Sequence, residues 1–352
     1  MKQILRGCYE VLLITSLLIF IVEPAFAADV QMNGDTNVTG NVTATSFTGS
    51  GAGLTGILGT AISNTSITVN QLADNAVTAA KIEDNAVTPG KIAFFSRVAV
   101  VAINGGDYTD PSVAMSSGAY GFWCGLSSQT NPCLLKIMPG VYNIGTASVQ
   151  MRPYVDIEGS GENTTIIQGN IDSAVSGVVS GASNSEMRFL TVKNSGGGSY
   201  SQAIYNSGAA TKITNVTAMA TGSSHNYAVV NQNSSSPVLL NVSAIASGGT
   251  ISIGVYNLDS SAMMFNVTSV ATGGGSNIGV SNNSTSGLHT VTIRSSVISG
   301  SSYSISNSDN STITTLVGNT QLVSGHTPST YGSVTCAGMY DVNYLFSPNT
   351  CP

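Results

Sequence analysis

The residues best placed to do chemistry are Arg152, Asp156 and Glu158, with Glu162 and Asp172 downstream. Two carboxylates roughly 5–9.5 Å apart can serve as acid and base, or as acid and nucleophile, on a glycosidic bond. Solvated strand edges and turns explain the same residues without any chemistry. Asp259 and Asp309 form a second pair, each two residues after an asparagine (Asn257 and Asn307). No third acid stands between them, which suits turn residues better than a catalytic pair. His225, His289 and His326 lack metal-ligand spacing and read as surface residues. The sequence thus presents no catalytic set, no metal set and no sign of a cofactor.

What must position these few groups is an unusual chain. Only 8% of its 352 residues are charged, 11 Lys+Arg against 17 Asp+Glu. Eleven cations outnumbered by anions supply no basic footprint, so a nucleic-acid partner is excluded. Ser (50), Thr (36), Asn (30) and Gly (39) together exceed two fifths of the chain. With 42% hydrophobic residues and little net charge, the balance is wrong for disorder and points to a turn-rich, repetitive all-β protein.

The N-terminus reads as an export signal over 1–27. Lys2 and Arg6 precede an apolar run from Val11 to Val22, and Ala25-Phe26-Ala27 is a small-x-small cleavage site. The run is shorter than the roughly 20 residues a spanning helix needs. The expected location is therefore secreted or at the cell surface, with the periplasm as a further option. Export leaves Cys124, Cys133, Cys336 and Cys351 in an oxidising compartment. Four cysteines allow three pairings. The two sequence-local ones, Cys124–Cys133 and Cys336–Cys351, are favoured and would clamp the ends of the repetitive region.

Two repeat systems organise the rest. Residues 64–92 repeat every ten: Ile67, Val77 and Val87 fall in register, as do Leu72, Ile82 and Ile92. Two apolar residues per decad cannot close a core within one chain, so this segment needs neighbours. A flexible Gly/Thr/Ser linker is the plainer alternative. Further on, a small-aliphatic-x-Asn tetrad recurs and places Asn206, Asn231, Asn257, Asn282 and Asn307 at separations of 25, 26, 25 and 25. A companion column runs Asn215, Asn241, Asn266 and Thr292. Short β-branched runs at this period, broken by Asn, Gly and Ser, suit the rungs of a parallel β-helix. The tetrad asparagines are expected to take a left-handed bend and to bond to one another as a ladder at the roughly 4.8 Å strand spacing. Ile204, Val229, Val255, Val280 and Ile305 should point inward, with Val216, Val242, Val267 and Ile293 as a second inward column. Stacking also offers a reason for the missing charge, since like charges would face each other from rung to rung.

The segment Leu134-Leu-Lys-Ile-Met-Pro139-Gly140-Val-Tyr142, followed by Val155-Asp-Ile-Glu-Gly159-Ser-Gly161, resembles the opening of the pectin-lyase-like family. The resemblance implies a right-handed parallel β-helix over 134–325, after a lead-in and capping helix in 96–133. In the helix Asp110 would be the N-cap and Pro111 the first residue. A cap with a disulfide would close 326–352. Residues 28–95 resemble the stalks of trimeric tail fibres and surface fibres, which implies a homotrimer. The family houses lyases, which use arginine with acidic residues, as well as non-catalytic adhesins. Scarce charge favours a secreted or cell-surface β-helix without catalysis, acting in adhesion, glycan binding or support. Its expected partner is a polysaccharide or cell-surface glycan. The alternative is a lyase or hydrolase on acidic polysaccharide, using the Arg152, Asp156 and Glu158 group.

Overall fold

The computed structural model describes residues 37–43, 46, 77–78, 81–82, 97–308, 312–326 and 333–352, with no side-chain detail at 308 and 324–326. The signal segment 1–27, most of the 28–95 stalk with its decad columns, and Asp309 lie outside the described residues. The chain divides into two compact units, Met1–Thr78 and Ala79–Pro352. In the first, Val38, Val42 and Val77 are exposed.

The second unit is a parallel β-helix of about seven turns. Each turn of roughly 25 residues contributes a strand to three faces, and successive turns pair in parallel; at the C-terminal end Met339–Tyr340 and Phe346–Ser347 pair antiparallel. The first sheet runs from Val98–Val101 through Cys133–Ile137 and Val155–Glu158 to Ile313–Gly318 and Ser333–Ala337. The second includes Gly140–Asn143, Thr165–Gly169 and Thr268–Thr272. The third includes Tyr200–Ser207, His225–Gln232, Ile251–Leu258 and Ser276–Asn283. Longer strands such as Lys212–Thr221 and Val238–Ser247 serve the first sheet and then the second.

The period-25 grammar becomes columns. Val149, Val179, Ile204, Val229, Val255, Val280 and Ile305 are in register and fully buried. Each such side chain contributes about 1.5–3 kcal/mol by leaving water. Beside them the tetrad asparagines are also fully buried, and each Nδ2 donates to the next Oδ1. The distances are 2.8 Å from Asn206 to Asn231, from Asn231 to Asn257 and from Asn257 to Asn282, and 3.1 Å from Asn282 to Asn307.

The left-handed bend expected of these asparagines belongs to others. Positive φ falls on Phe189, Asn215, Asn241, Asn266, Ser295 and Asn319, at 47–58°. This column is the single-residue corner between the first and second sheets. Asparagine tolerates that conformation because its short amide bonds locally. Here Asn241 donates to Asn215 at 2.9 Å and Asn266 to Asn241 at 2.8 Å, so a second, outer ladder runs in the opposite sense.

The second inward column also needs correction. Val216 partners Val242, and Val267 continues the column beside the Ser243–Thr268 pair. Ile293 does not, because its partner is Met264, 29 residues earlier. Four extra residues swell the corner around Ser284–Leu288. The next corner is four shorter, because Val297–Ser308 is continuous where the preceding turn has Gly273–Gly275. Insertion and deletion cancel, so the asparagine period stays at 25 and hides the shift.

The ends are closed. Asp110 Oδ1 accepts from Ser112 N at 2.7 Å and from Val113 N at 3.4 Å, opening the helix Pro111–Ala114. A second helix, Ser117–Trp123, follows it, and Met115 is buried at this end. Cys124 is bonded to Cys133, and Cys336 to Cys351. Arg97 Nη2 reaches the carbonyls of Cys124, Leu126 and Asn131 at 2.7–3.3 Å, tying the disulfide loop to the first strand.

Candidate functional site

Outward positions on the first sheet bring Asp156 and Glu158 together with partners the sequence did not single out. The register Lys136–Glu158–Arg188 sets alternating charges one strand apart. Lys136 Nζ lies 2.8 Å from Glu158, whose other oxygen is 2.8 Å from Arg188 Nε. Arg188 Nη1 also meets Asp156 at 2.9 Å and Glu186 at 3.1 Å, and Lys212 meets Glu186 at 3.1 Å. Charges therefore do ladder on this fold. Opposite signs alternate in one column, and Arg188 bridges the like-charged Asp156 and Glu186 in the other.

This network is neutral and self-satisfied. Hydrogen bonding to Lys136 is the main cause holding the Glu158 carboxyl below its usual range, with Arg188 adding to it. Burial pushes Glu186 upward, but Thr214, Lys212 and Arg188 outweigh it and its carboxyl too sits low. A general acid needs the opposite shift. A hollow of about 280 Å³ lies beside the network, lined by Asp156, Glu186 and Lys212 among others.

The remaining sequence candidates are dispersed. Arg152 does not join Asp156 and Glu158: its guanidinium lies 4.7 Å from the Tyr120 ring centre, against the cap. Glu162 accepts from the Thr217 hydroxyl at 2.6 Å, and Asp172 from Tyr200 N at 2.8 Å. Asp259 accepts from Thr285 N, Thr285 Oγ1 and Ser286 N at 2.6–2.9 Å, holding the inserted corner. Burial raises Asp259, but these bonds prevail and leave its carboxyl low. His289 stands 3.9 Å from it. Among the described residues no three His, Cys, Asp or Glu side chains gather in a metal-binding group.

The third sheet carries an aromatic row. Tyr200 stacks on His225 at 4.9 Å and Tyr227 on Tyr256 at 5.3 Å, with interplanar angles of 21° and 27°. Tyr205 shares the Tyr256 column through Val230, but it is buried and bonded to Gln232. The stacked rings spend faces on each other, which explains the row as packing along the axis. Burial pushes the Tyr227 phenol well above its ordinary value.

The second sheet holds a cleft of about 570 Å³ lined by Asn143, Gly145, Gln168, Gly169, Asn170, Lys193 and Ser195. Asn143, Gln168 and Lys193 are register partners on three successive turns. Gly145 lines it without a side chain, whereas Gly169 takes an inward position. A Cβ on Gly169 would come within 2.9 Å of Gly145 O and would also meet Val178 Cγ2 at 3.1 Å. Asn143 Oδ1 is engaged by Gly145 N at 3.1 Å. The side chains of Gln168, Asn170 and Lys193 have no hydrogen-bond or ion-pair partner among the described residues. The sequence signal for this site is weak: three polar residues that align only once the strand register is known.

In comparisons with known proteins, the sequence matches no family model and no curated protein. Similar solved structures include a pectin methylesterase from carrot, at 13% identity over 68% of this chain and 87% of that one, with a TM-score of 0.42. The pectin methylesterase PemA from Erwinia chrysanthemi has 13% identity over 71% and 85%, with a TM-score of 0.41. The A-module of a mannuronan C-5 epimerase from Azotobacter vinelandii has 16% identity over 60% and 67%, with a TM-score of 0.41. Likeness at this level assigns neither an activity nor a ligand to this chain.

Proposed function

We propose that the chain is an extracellular, non-catalytic β-helix that binds a polysaccharide in the cleft on its second sheet. The observation that carries this reading is the in-register row of Asn143, Gln168 and Lys193, in which the Gln168 amide and the Lys193 ammonium are unpartnered among the described residues, as is the neighbouring Asn170 amide. Amides at successive turns suit sugar hydroxyls, and the ammonium favours a polymer bearing carboxylates or other anions. Two disulfides fit an oxidising compartment. Among the described residues no helix is long and apolar enough to cross a membrane.

Acid–base cleavage of the polymer is the alternative. The low-lying carboxyls of Glu158, Glu186 and Asp259 argue against it, because none is poised to donate a proton near neutral pH. The test is a glycan array with the exported chain, beside a degradation screen on acidic and neutral polysaccharides. Saturable binding to an anionic polymer, weakened by Lys193→Gln and without product release, is the expected result. Unsaturated or shortened products, lost on changing Asp156 or Glu158, would overturn it. The stalk-borne homotrimer remains part of the proposal, and light scattering of the exported chain should give three times the monomer mass.

A further inference from the structure

The outer face of the first sheet changes character along the axis. Beyond the ion network its outward positions become Val238 and Leu240, then Met263 and Phe265, then Thr292 and Arg294, then Leu316 and Gly318. Met263 is 55% exposed, Phe265 47% and Leu316 40%. At the far end a groove of about 360 Å³ is lined by Arg294, Leu316, Val317, Gly318, Thr335 and Ala337. Apolar side chains and the bare Gly318 make its walls, and the stem of Arg294 passes 4.0 Å from where a Gly318 Cβ would stand.

Arg294 is unusual twice over. Its guanidinium has no ion pair or hydrogen bond among the described residues. It is also the single Lys or Arg in the sequence after Lys212. An unpaired guanidinium beside an apolar strip is complementary to one anionic group carried on an apolar body.

We propose that this groove binds a single-chain amphiphile with one anionic headgroup. A carboxylate or similar anion meets the Arg294 guanidinium, and the alkyl chain lies in the groove along Leu316 and Ala337. The groove's volume suits one small ligand, with one polar group fixing orientation and apolar walls supplying affinity. A sugar chain would find only the Thr335 hydroxyl and the guanidinium here. A membrane surface would call for several cations, whereas this half of the chain offers one. The groove shares no residue with the polysaccharide cleft, so neither reading depends on the other.

The test is calorimetric titration of the full exported chain with dodecanoate below its micellar concentration, repeated with Arg294→Gln and with Leu316→Ser. Saturable binding of one dodecanoate per chain is expected. Arg294→Gln should weaken it about tenfold or more, the scale of a lost charge-assisted bond. Dodecyltrimethylammonium, with the same chain and the opposite charge, should not bind. Circular dichroism of both variants establishes that they remain folded. Absence of saturable binding, equal affinity in Arg294→Gln, or equal binding of the cationic amphiphile would overturn the proposal. So would binding confined to anionic phospholipid vesicles. A concentration-dependent dimer abolished by Leu316→Ser would assign the groove to a second copy instead.

Discussion

The turns up to Lys212 and those after it are built on one plan and stabilised by different chemistry. Residues 97–212 hold thirteen charged side chains, and 213–352 hold four. Early turns tie neighbouring strands with Lys136, Glu158 and Arg188, and leave Gln168 and Lys193 open to solvent. Later turns tie strands with neutral amides, buried in one column and exposed in another. A repeated column tolerates charge where signs can alternate or one cation can bridge two acids. It uses amides where identical residues must stack, because an amide is donor and acceptor at once. The early turns therefore present a mixed-charge polar face, while the later ones present neutral ladders and a largely apolar strip.

The contrast can be broken first at the buried ladder. Asn257→Leu strands Asn231 Nδ2 and Asn282 Oδ1 in a dry column, at about 2–4 kcal/mol and several degrees in thermal midpoint. An unchanged melt would remove the ladder from the account. Arg188→Leu comes next, leaving three carboxylates without their shared cation. These groups are partly exposed, so the expected cost is about 1–3 kcal/mol, measured by denaturant unfolding.

Acid should separate the two halves. Glu158 and Glu186 lie low when folded, so the stability they lend is full above their unfolded pKa of about 4.3. It fades as pH falls through their folded values. Hydrogen exchange should show the early strands opening first below about pH 4, and Arg188→Leu should flatten this dependence. Loss of protection in the Val238–Ser247 and Ile251–Leu258 strands first would contradict the division. The smallest effect is expected at the exposed ladder. Asn241→Gly keeps the left-handed corner and costs about 0.5 kcal/mol, whereas Asn241→Val should cost more.

Much of the fold was legible because it repeats. Asparagines every 25 or 26 residues, with an aliphatic residue two before each, name an inward column without any structure. Backbone conformation was less legible, since Asn257 and Asn241 look alike in sequence and only Asn241 bends left-handed. The four-residue swelling at Ser284–Leu288 was invisible because a later deletion restores the period. The proposed cleft was harder still. Asn143, Gln168 and Lys193 belong to no motif, and they meet only because strand register places them on successive turns. Arg152 misled for the matching reason: four residues from Asp156 in sequence, it faces the cap.

The most direct test of the proposed binding face is hydrogen exchange of the chain with and without an anionic oligosaccharide. The account predicts added protection in Gly140–Asn143, Thr165–Gly169 and around Lys193, lost in Lys193→Gln, with the strands after Lys212 unchanged. Protection confined to the later turns, or none at saturating oligosaccharide, would contradict it.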